Sequence, residues 1–222
     1  MNRIIFIHGF GEKPSIFDKI HPAFPHVKLF IDNWMELGNQ RRKNYTALDY
    51  ASHLANKYQI TPNDLIIGHS LGGWIAYHTK FITNCKAIQI ASWTDMDRVK
   101  FPINNFQLIA LLVKMGITFN QFSKFYFLKK QYKGLASEQV FIENYDNLIK
   151  GNKTNVLNQL MLILHGKAND NMPDPDLRIH SHNDRLIRKP KQDFHAVNGD
   201  HFNLHTHPDE VIQAIQQYLK TI

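Results

Sequence analysis

A serine stands among glycines in Gly68-His69-Ser70-Leu71-Gly72-Gly73, directly after the apolar run Leu65 to Ile67. An alcohol is a weak nucleophile until a neighbouring base takes its proton. The base most suited to this is an imidazole held by a carboxylate. Two stretches near the far end of the chain offer these groups. Gly199-Asp200-His201-Phe202 supplies His201 as the base, and His182-Asn183-Asp184 supplies Asp184 as the orienting acid. A tetrahedral oxyanion would need backbone donors. Leu71 follows the serine at the start of an expected helix, and Phe10 follows His8-Gly9. The chemistry these types suggest is acyl transfer through a covalent serine intermediate.

The acid has a rival. His165-Gly166-Lys167-Ala168-Asn169-Asp170 places a second aspartate, Asp170, farther upstream, whereas Asp184 precedes His201 by only 17 residues. The stretch ahead of Asp170, "NVLNQLMLILHG", is apolar at nearly every position of a helix-length run and poor in β-branched residues. "LRIHS", ahead of Asp184, is short and bounded by Pro175 and Asn183. Asp184 is therefore favoured, and Asp170 stays open. His8 and His69 flank the expected site and are candidates to support its residues or to line a substrate pocket, and Trp93, after the strand ending near Ser92, to reach that pocket; turn packing is the other role open to the histidines. Thirteen histidines raise the question of a metal. His180 and His182 share a strand face, but no third ligand has a defined spacing and no His-Glu-x-x-His is present, so no metal is assigned.

Positioning these residues takes a specific set of elements. "RIIFI", "HVKLFIDNW" (His26 to Trp34), "DLIIG", "CKAIQIAS" (Cys85 to Ser92), "DLRIHS" (Asp176 to Ser181) and "DFHAV" (Asp193 to Val197) read as strands. "ALDYASHLANKY", with Thr46 or Asn44 as its cap, and "LGGWIAYHTKFI" read as helices between them, and "PDEVIQAIQQYLKTI" as a closing helix with Pro208 at its start. Alternation of this kind predicts a largely parallel sheet of about six strands, covered by helices on both faces. Roughly between residues 100 and 170 the alternation gives way to four helical patterns. The reading is one domain over residues 1–222 with an inserted helical cap. The cap aromatics Phe106, Phe119, Phe122, Phe125, Tyr126, Phe127 and Tyr132 are expected to be mostly core between cap and sheet, some of them lining an apolar pocket over Ser70.

Composition bounds the partners. The chain of 222 residues is 43% hydrophobic and 20% charged, values of an ordinary globular protein. One cysteine excludes an internal disulfide. The apolar run at the N-terminus is short, and "FQLIALLV" is broken by Lys114, so neither a leader nor a spanning segment is expected; a cytoplasmic protein is. The net charge of +7 comes from scattered lysines without a nucleic-acid motif, so neither a nucleic-acid nor a membrane partner is expected. Lysines outnumber Glu138, Glu143 and Asp146 in the cap, which suits an acidic carrier or a substrate carboxylate as well as a plain solvated face.

The chain resembles the α/β-hydrolase family, in particular small RsbQ- or BioH-like bacterial serine esterases with a helical cap. The resemblance rests on His8-Gly9-Phe10, Gly68 to Gly73, "HNDRLI", and "GDHF" followed by a "HPDEV" helix start, in the family order Ser70, Asp184, His201. Two strands that usually precede the first one here would be missing, and "RLIRKPKQ" would replace a helix with a loop or single turn. The resemblance implies an esterase or thioesterase acting without a cofactor on a small-molecule substrate, free or carried on a larger partner. A lyase or C–C hydrolase on the same residues, or a ligand-binding module with a relict site, are the alternatives.

Overall fold

The computed structural model describes residues 2–100, 106–165 and 171–222. Six strands form one parallel sheet: β1 (Arg3–Ile7), β2 (Val27–Ile31), β3 (Leu65–His69), β4 (Lys86–Ile90), β5 (Leu177–Ser181) and β6 (His195–Val197), in the order β2-β1-β3-β4-β5-β6. The order reverses between β1 and β3. At such a switch point the loops leaving the carboxyl ends of the two strands diverge and open a crevice. The loop after β1 carries His8 to Glu12, and the one after β3 carries Ser70.

Side chains of a strand alternate between faces, and both faces are covered. Ile5, Ile7 and Ile66 pack toward α2 (Ala47–Tyr58) and α3 (Leu71–Thr83). Ile4, Phe6, Leu65, Ile67, Ile88 and Ile179 pack on the opposite face with Phe17, Val211 and Ile215. The last two belong to α9 (Pro208–Leu219), which follows the short α8 (Asn203–Thr206). Strands β1, β3 and β4 are buried along nearly their whole length, whereas edge strand β2 has Val27 70% exposed. Thr46 caps α2 through a reciprocal box with Asp49. The lone Cys85 is buried, and burial pushes its thiol up to about 11.

The second strand is shorter than expected. It ends at Ile31 because the Asp32 carboxylate accepts the Trp34 N–H at 2.9 Å and starts helix α1 (Asn33–Leu37), so Asn33 and Trp34 are helical.

Among the described residues four α-helices lie between β4 and β5: α4 (Phe106–Lys114), α5 (Gln121–Phe127), α6 (Glu138–Lys150) and α7 (Lys153–Leu164), with a π-helical turn at Leu128–Tyr132. They divide in function. Helix α7 is buried all round from Asn155 to Leu164, and the Trp74 indole N–H of α3 donates to its Leu162 carbonyl at 3.2 Å. It belongs to the layer over the sheet, and the other three lie outside it. Tyr132 is buried as expected, but Phe122, Phe125 and Tyr126 are 82%, 63% and 50% exposed, against the expectation that they fill core. Helical spacing reports that residues share a face; it does not report which way the face turns.

Candidate active site

Ser70 sits between β3 and α3 with φ 51° and ψ −118°, a backbone conformation that costs free energy and persists only where the surroundings dictate it. Three contacts dictate it. Ser70 N–H donates to the Ile90 carbonyl of β4 at 2.9 Å, the Ser70 carbonyl accepts the Ser92 hydroxyl at 2.7 Å, and α3 packs directly beneath β1. That packing requires Gly72: a Cβ there would lie 1.8 Å from the Ile7 carbonyl oxygen. Gly9 is required for the same reason, since its Cβ would come within 2.9 Å of Ser70 Cβ. The β1 loop and the serine turn are thus in van der Waals contact.

The three groups singled out by type are brought together. The Ser70 hydroxyl donates toward His201 Nε2 at 3.0 Å, and His201 Nδ1–H donates to Asp184 Oδ2 at 2.9 Å. His201 and Asp184 are 3% and 5% exposed, and Ser70 is 8% exposed. The second oxygen of Asp184 accepts the N–H groups of Leu186 and Ile187, both at 2.8 Å. Burial works against the Asp184 charge, but His201, the hydrogen bond to it and the Ile187 amide outweigh burial and hold the carboxyl below the usual range. For His201, burial disfavours the imidazolium, while Asp184 and, more distantly, Glu12 and Asp200 favour it. The balance raises its pKa. Asp170 lies outside the described residues.

The segment from Arg185 onward contains no helix before β6. It is fixed instead by pairing with the chain after β4: Val99 bridges Ile187, Lys100 N–H donates to the Leu186 carbonyl at 2.9 Å, and Lys100 Nζ donates to the Asp184 carbonyl at 2.9 Å. This clamp lets an acid so close in sequence to His201 reach the imidazole.

Two backbone amides lie in the loops that meet at the serine. Leu71 is the first residue of α3, where an N–H has no partner within the helix and the helix end favours negative charge. In the β1 loop the amides on either side of Phe10 are engaged, Gly9 N–H with Glu12 Oε2 at 2.6 Å and Gly11 N–H with Gln159 Oε1 at 3.1 Å. No acceptor takes the Phe10 N–H among the described residues.

Glu12 had no signal in the sequence beyond being a glutamate in a glycine-rich loop. In the fold it is 3% exposed and contacts both Gly9 N–H and His69 Nδ1, the latter at 2.9 Å. His69 Nε2 donates in turn to the His201 carbonyl at 2.8 Å. Burial opposes ionisation of Glu12, yet His69, His201 and the Gly9 amide together lower its pKa. One carboxylate therefore ties the Phe10 loop to the backbone of His201. Ser137, at the start of α6, adds a second support by donating to Asp200, whose other oxygen accepts the Phe202 N–H at 3.0 Å.

The residues weighed as pocket lining are buried. His69 is fully buried in the relay just described. His8, also fully buried, donates from Nδ1 to the Gly9 carbonyl at 2.9 Å and accepts the Asn33 N–H on Nε2 at 2.9 Å. Trp93 is 3% exposed and stacks on Trp74 at 5.9 Å. Phe119 packs on the loop, its ring 5.7 Å from that of Phe10. Among the described residues no three His, Cys, Asp or Glu side chains gather in a manner that could hold a metal ion, and no helix is long and apolar enough to cross a membrane.

No family model matches the sequence, and no curated protein matches it. Solved structures do match over its length. A hydrolase from Oleispira antarctica superposes with a TM-score of 0.77 at 13% identity, over 100% of this chain and 92% of that one. An enol-lactonase from Burkholderia xenovorans LB400 gives 0.77 at 13% identity, over 99% and 92%. A thermophilic esterase from Thermogutta terrifontis gives 0.63 at 13% identity, over 100% and 90%. The six-stranded parallel sheet, the helices on both of its faces and these superpositions together establish that the chain has the α/β-hydrolase fold.

Proposed function

We propose that the protein is a serine hydrolase that cleaves a carboxylic ester or thioester through an acyl-enzyme. The observation that carries this reading is the hydrogen-bonded line from Ser70 Oγ through the His201 ring to Asp184, at 3.0 and 2.9 Å. Ser70 attacks the substrate carbonyl as His201 Nε2 takes the hydroxyl proton. Asp184 keeps the imidazole in the tautomer that can accept it and stabilises the imidazolium that forms. The Leu71 and Phe10 N–H groups receive the negative oxygen of the tetrahedral intermediate. His201 then returns the proton to the leaving alcohol or thiol. In the second half, water attacks the acyl group with His201 again as base, and Ser70 is regenerated. The nucleophile, the base, its orienting acid and the oxyanion donors all come from the chain, so the cycle as written draws on no cofactor. The segment α4 to α6 acts as the cap over the serine, and the substrate is a small molecule, free or on a carrier.

The test is hydrolysis of a short p-nitrophenyl ester together with labelling by a fluorophosphonate. Wild type turns over and labels once, at Ser70, and Ser70→Ala does neither. A Ser70→Ala protein with wild-type turnover, or a wild type that neither turns over esters nor labels, removes the reading.

A further inference from the structure

Most of the large apolar side chains left substantially exposed fall between residues 108 and 126. Helix α4 is apolar on two sides. Ile109 and Val113 pack inward against the α7 layer, while Leu111 and Met115 face outward at 52% and 60% exposure. Helix α5 sits on α6, with the Tyr145 hydroxyl donating to Ser123 Oγ at 2.9 Å and Lys124 paired with Asp146 at 2.7 Å. It turns Phe122, Phe125 and Tyr126 away from that contact. Ile117, 50% exposed, stands in the connection between the two helices.

Cations accompany both helices. Lys114 ends α4, and Lys153 Nζ lies against Gly116 in the connection. Lys129 and Lys130 follow α5, with the Lys130 ammonium 5.5 Å above the Tyr126 ring. Asp146, the acid in contact with α5, is already paired with Lys124.

We infer that the outer face of α5 and the turn after it docks on an anionic lipid surface, Phe122, Phe125 and Tyr126 entering the acyl boundary while Lys129 and Lys130 meet headgroup phosphates. Three features select this occupant. The apolar side chains project from convex helix surfaces; a fluid acyl layer accepts such side chains without a matching pocket, which a folded protein would have to supply. The lysines have long apolar stems that can lie along the same layer with the ammonium in the headgroups. A second copy seated symmetrically would set these lysines against their own copies, on a chain whose net charge is +7. That no helix among the described residues is long and apolar enough to cross a membrane does not oppose this, because lying on a bilayer and crossing it are different physical states. The inference does not depend on the ester-hydrolase reading.

The experiment is flotation of the full chain with phosphatidylcholine vesicles containing about one third phosphatidylglycerol, beside pure phosphatidylcholine vesicles, at low and high salt. The anionic vesicles should carry the protein, pure phosphatidylcholine should carry far less, and about 0.5 M salt should release it. Phe122→Ser with Phe125→Ser, and separately Lys129→Gln with Lys130→Gln, should each lower the partition coefficient about tenfold or more. Unchanged melting temperatures would show both variants folded, as expected for exposed positions. The inference is overturned by any of four results: no flotation with anionic vesicles, equal flotation with neutral ones, wild-type flotation by the phenylalanine variant, or a wild-type dimer in sedimentation that the phenylalanine variant dissociates.

Discussion

Replacing Asp184 by asparagine tests the proposed chemistry most sharply, because the structure dictates how the new side chain must sit. The Asp184 oxygen facing Leu186 and Ile187 accepts two backbone N–H groups, both at 2.8 Å. An amide nitrogen cannot take that position, so the asparagine carbonyl must remain there and its NH2 must face His201 Nδ1. A donor on that side forces the imidazole proton onto Nε2, which then points at Ser70 and can no longer accept the serine proton. The volume hardly changes, so the fold should persist. In a triad with the wrong tautomer the loss in kcat is about 10⁴-fold, or about 5.5 kcal/mol of transition-state stabilisation. The pH profile should move as well. Wild-type His201 has a raised pKa in which burial is outweighed chiefly by Asp184. Activity needs the neutral ring, so wild-type activity rises as pH climbs through that raised value. Without the Asp184 charge, burial dominates and the residual activity should rise at lower pH. The assay is steady-state hydrolysis of a p-nitrophenyl ester from pH 5 to 9, with Asp170→Asn as comparator. The reasoning is refuted if Asp184→Asn keeps kcat within about tenfold of wild type with an unmoved acid limb, or if Asp170→Asn suffers the larger loss.

Two further outcomes follow from buried groups the sequence did not single out. Glu12→Gln leaves a neutral group between Gly9 N–H and His69 and should reduce kcat by about 10- to 100-fold with a smaller change in KM, the scale of a lost charge-assisted hydrogen bond. Its acid limb should also shift to lower pH, since Glu12 helps raise the His201 pKa; a wild-type profile would show that Glu12 only packs. His78 of α3 is buried with its ring edge-on to Trp74 at 4.3 Å, and burial lowers its pKa to about 4 from 6.5. Above pH 6.5 folded and unfolded His78 are both neutral. As pH falls toward 4 only the unfolded chain takes the proton, so stability drops by up to about 3 kcal/mol over that window. Urea unfolding of His78→Phe should show a correspondingly shallower decline from pH 6.5 to 4, and an identical slope would refute the assignment.

The amino-acid sequence by itself determined the strand and helix alternation and the six strands, and it singled out Ser70, Asp184 and His201 as candidates by type. These are properties of short stretches: an apolar run, a glycine-bounded turn, a helix start. Glycines 68 and 72 marked a tight turn because only a residue without a side chain fits there, whatever else the chain does. The tertiary structure alone decided what those stretches face. Glu12 became part of the site because the β1 loop folds back beside His69. His8, His69 and Trp93 are buried because the elements carrying them close over their side chains. Asn33 and Trp34 left the second strand because Asp32 captured a backbone amide. Phe122, Phe125 and Tyr126 turned outward because α5 packs on α6 through Ser123 and Lys124. Local pattern fixes which residues share a face; burial and pairing depend on contacts between residues far apart in the chain, and no local pattern contains them.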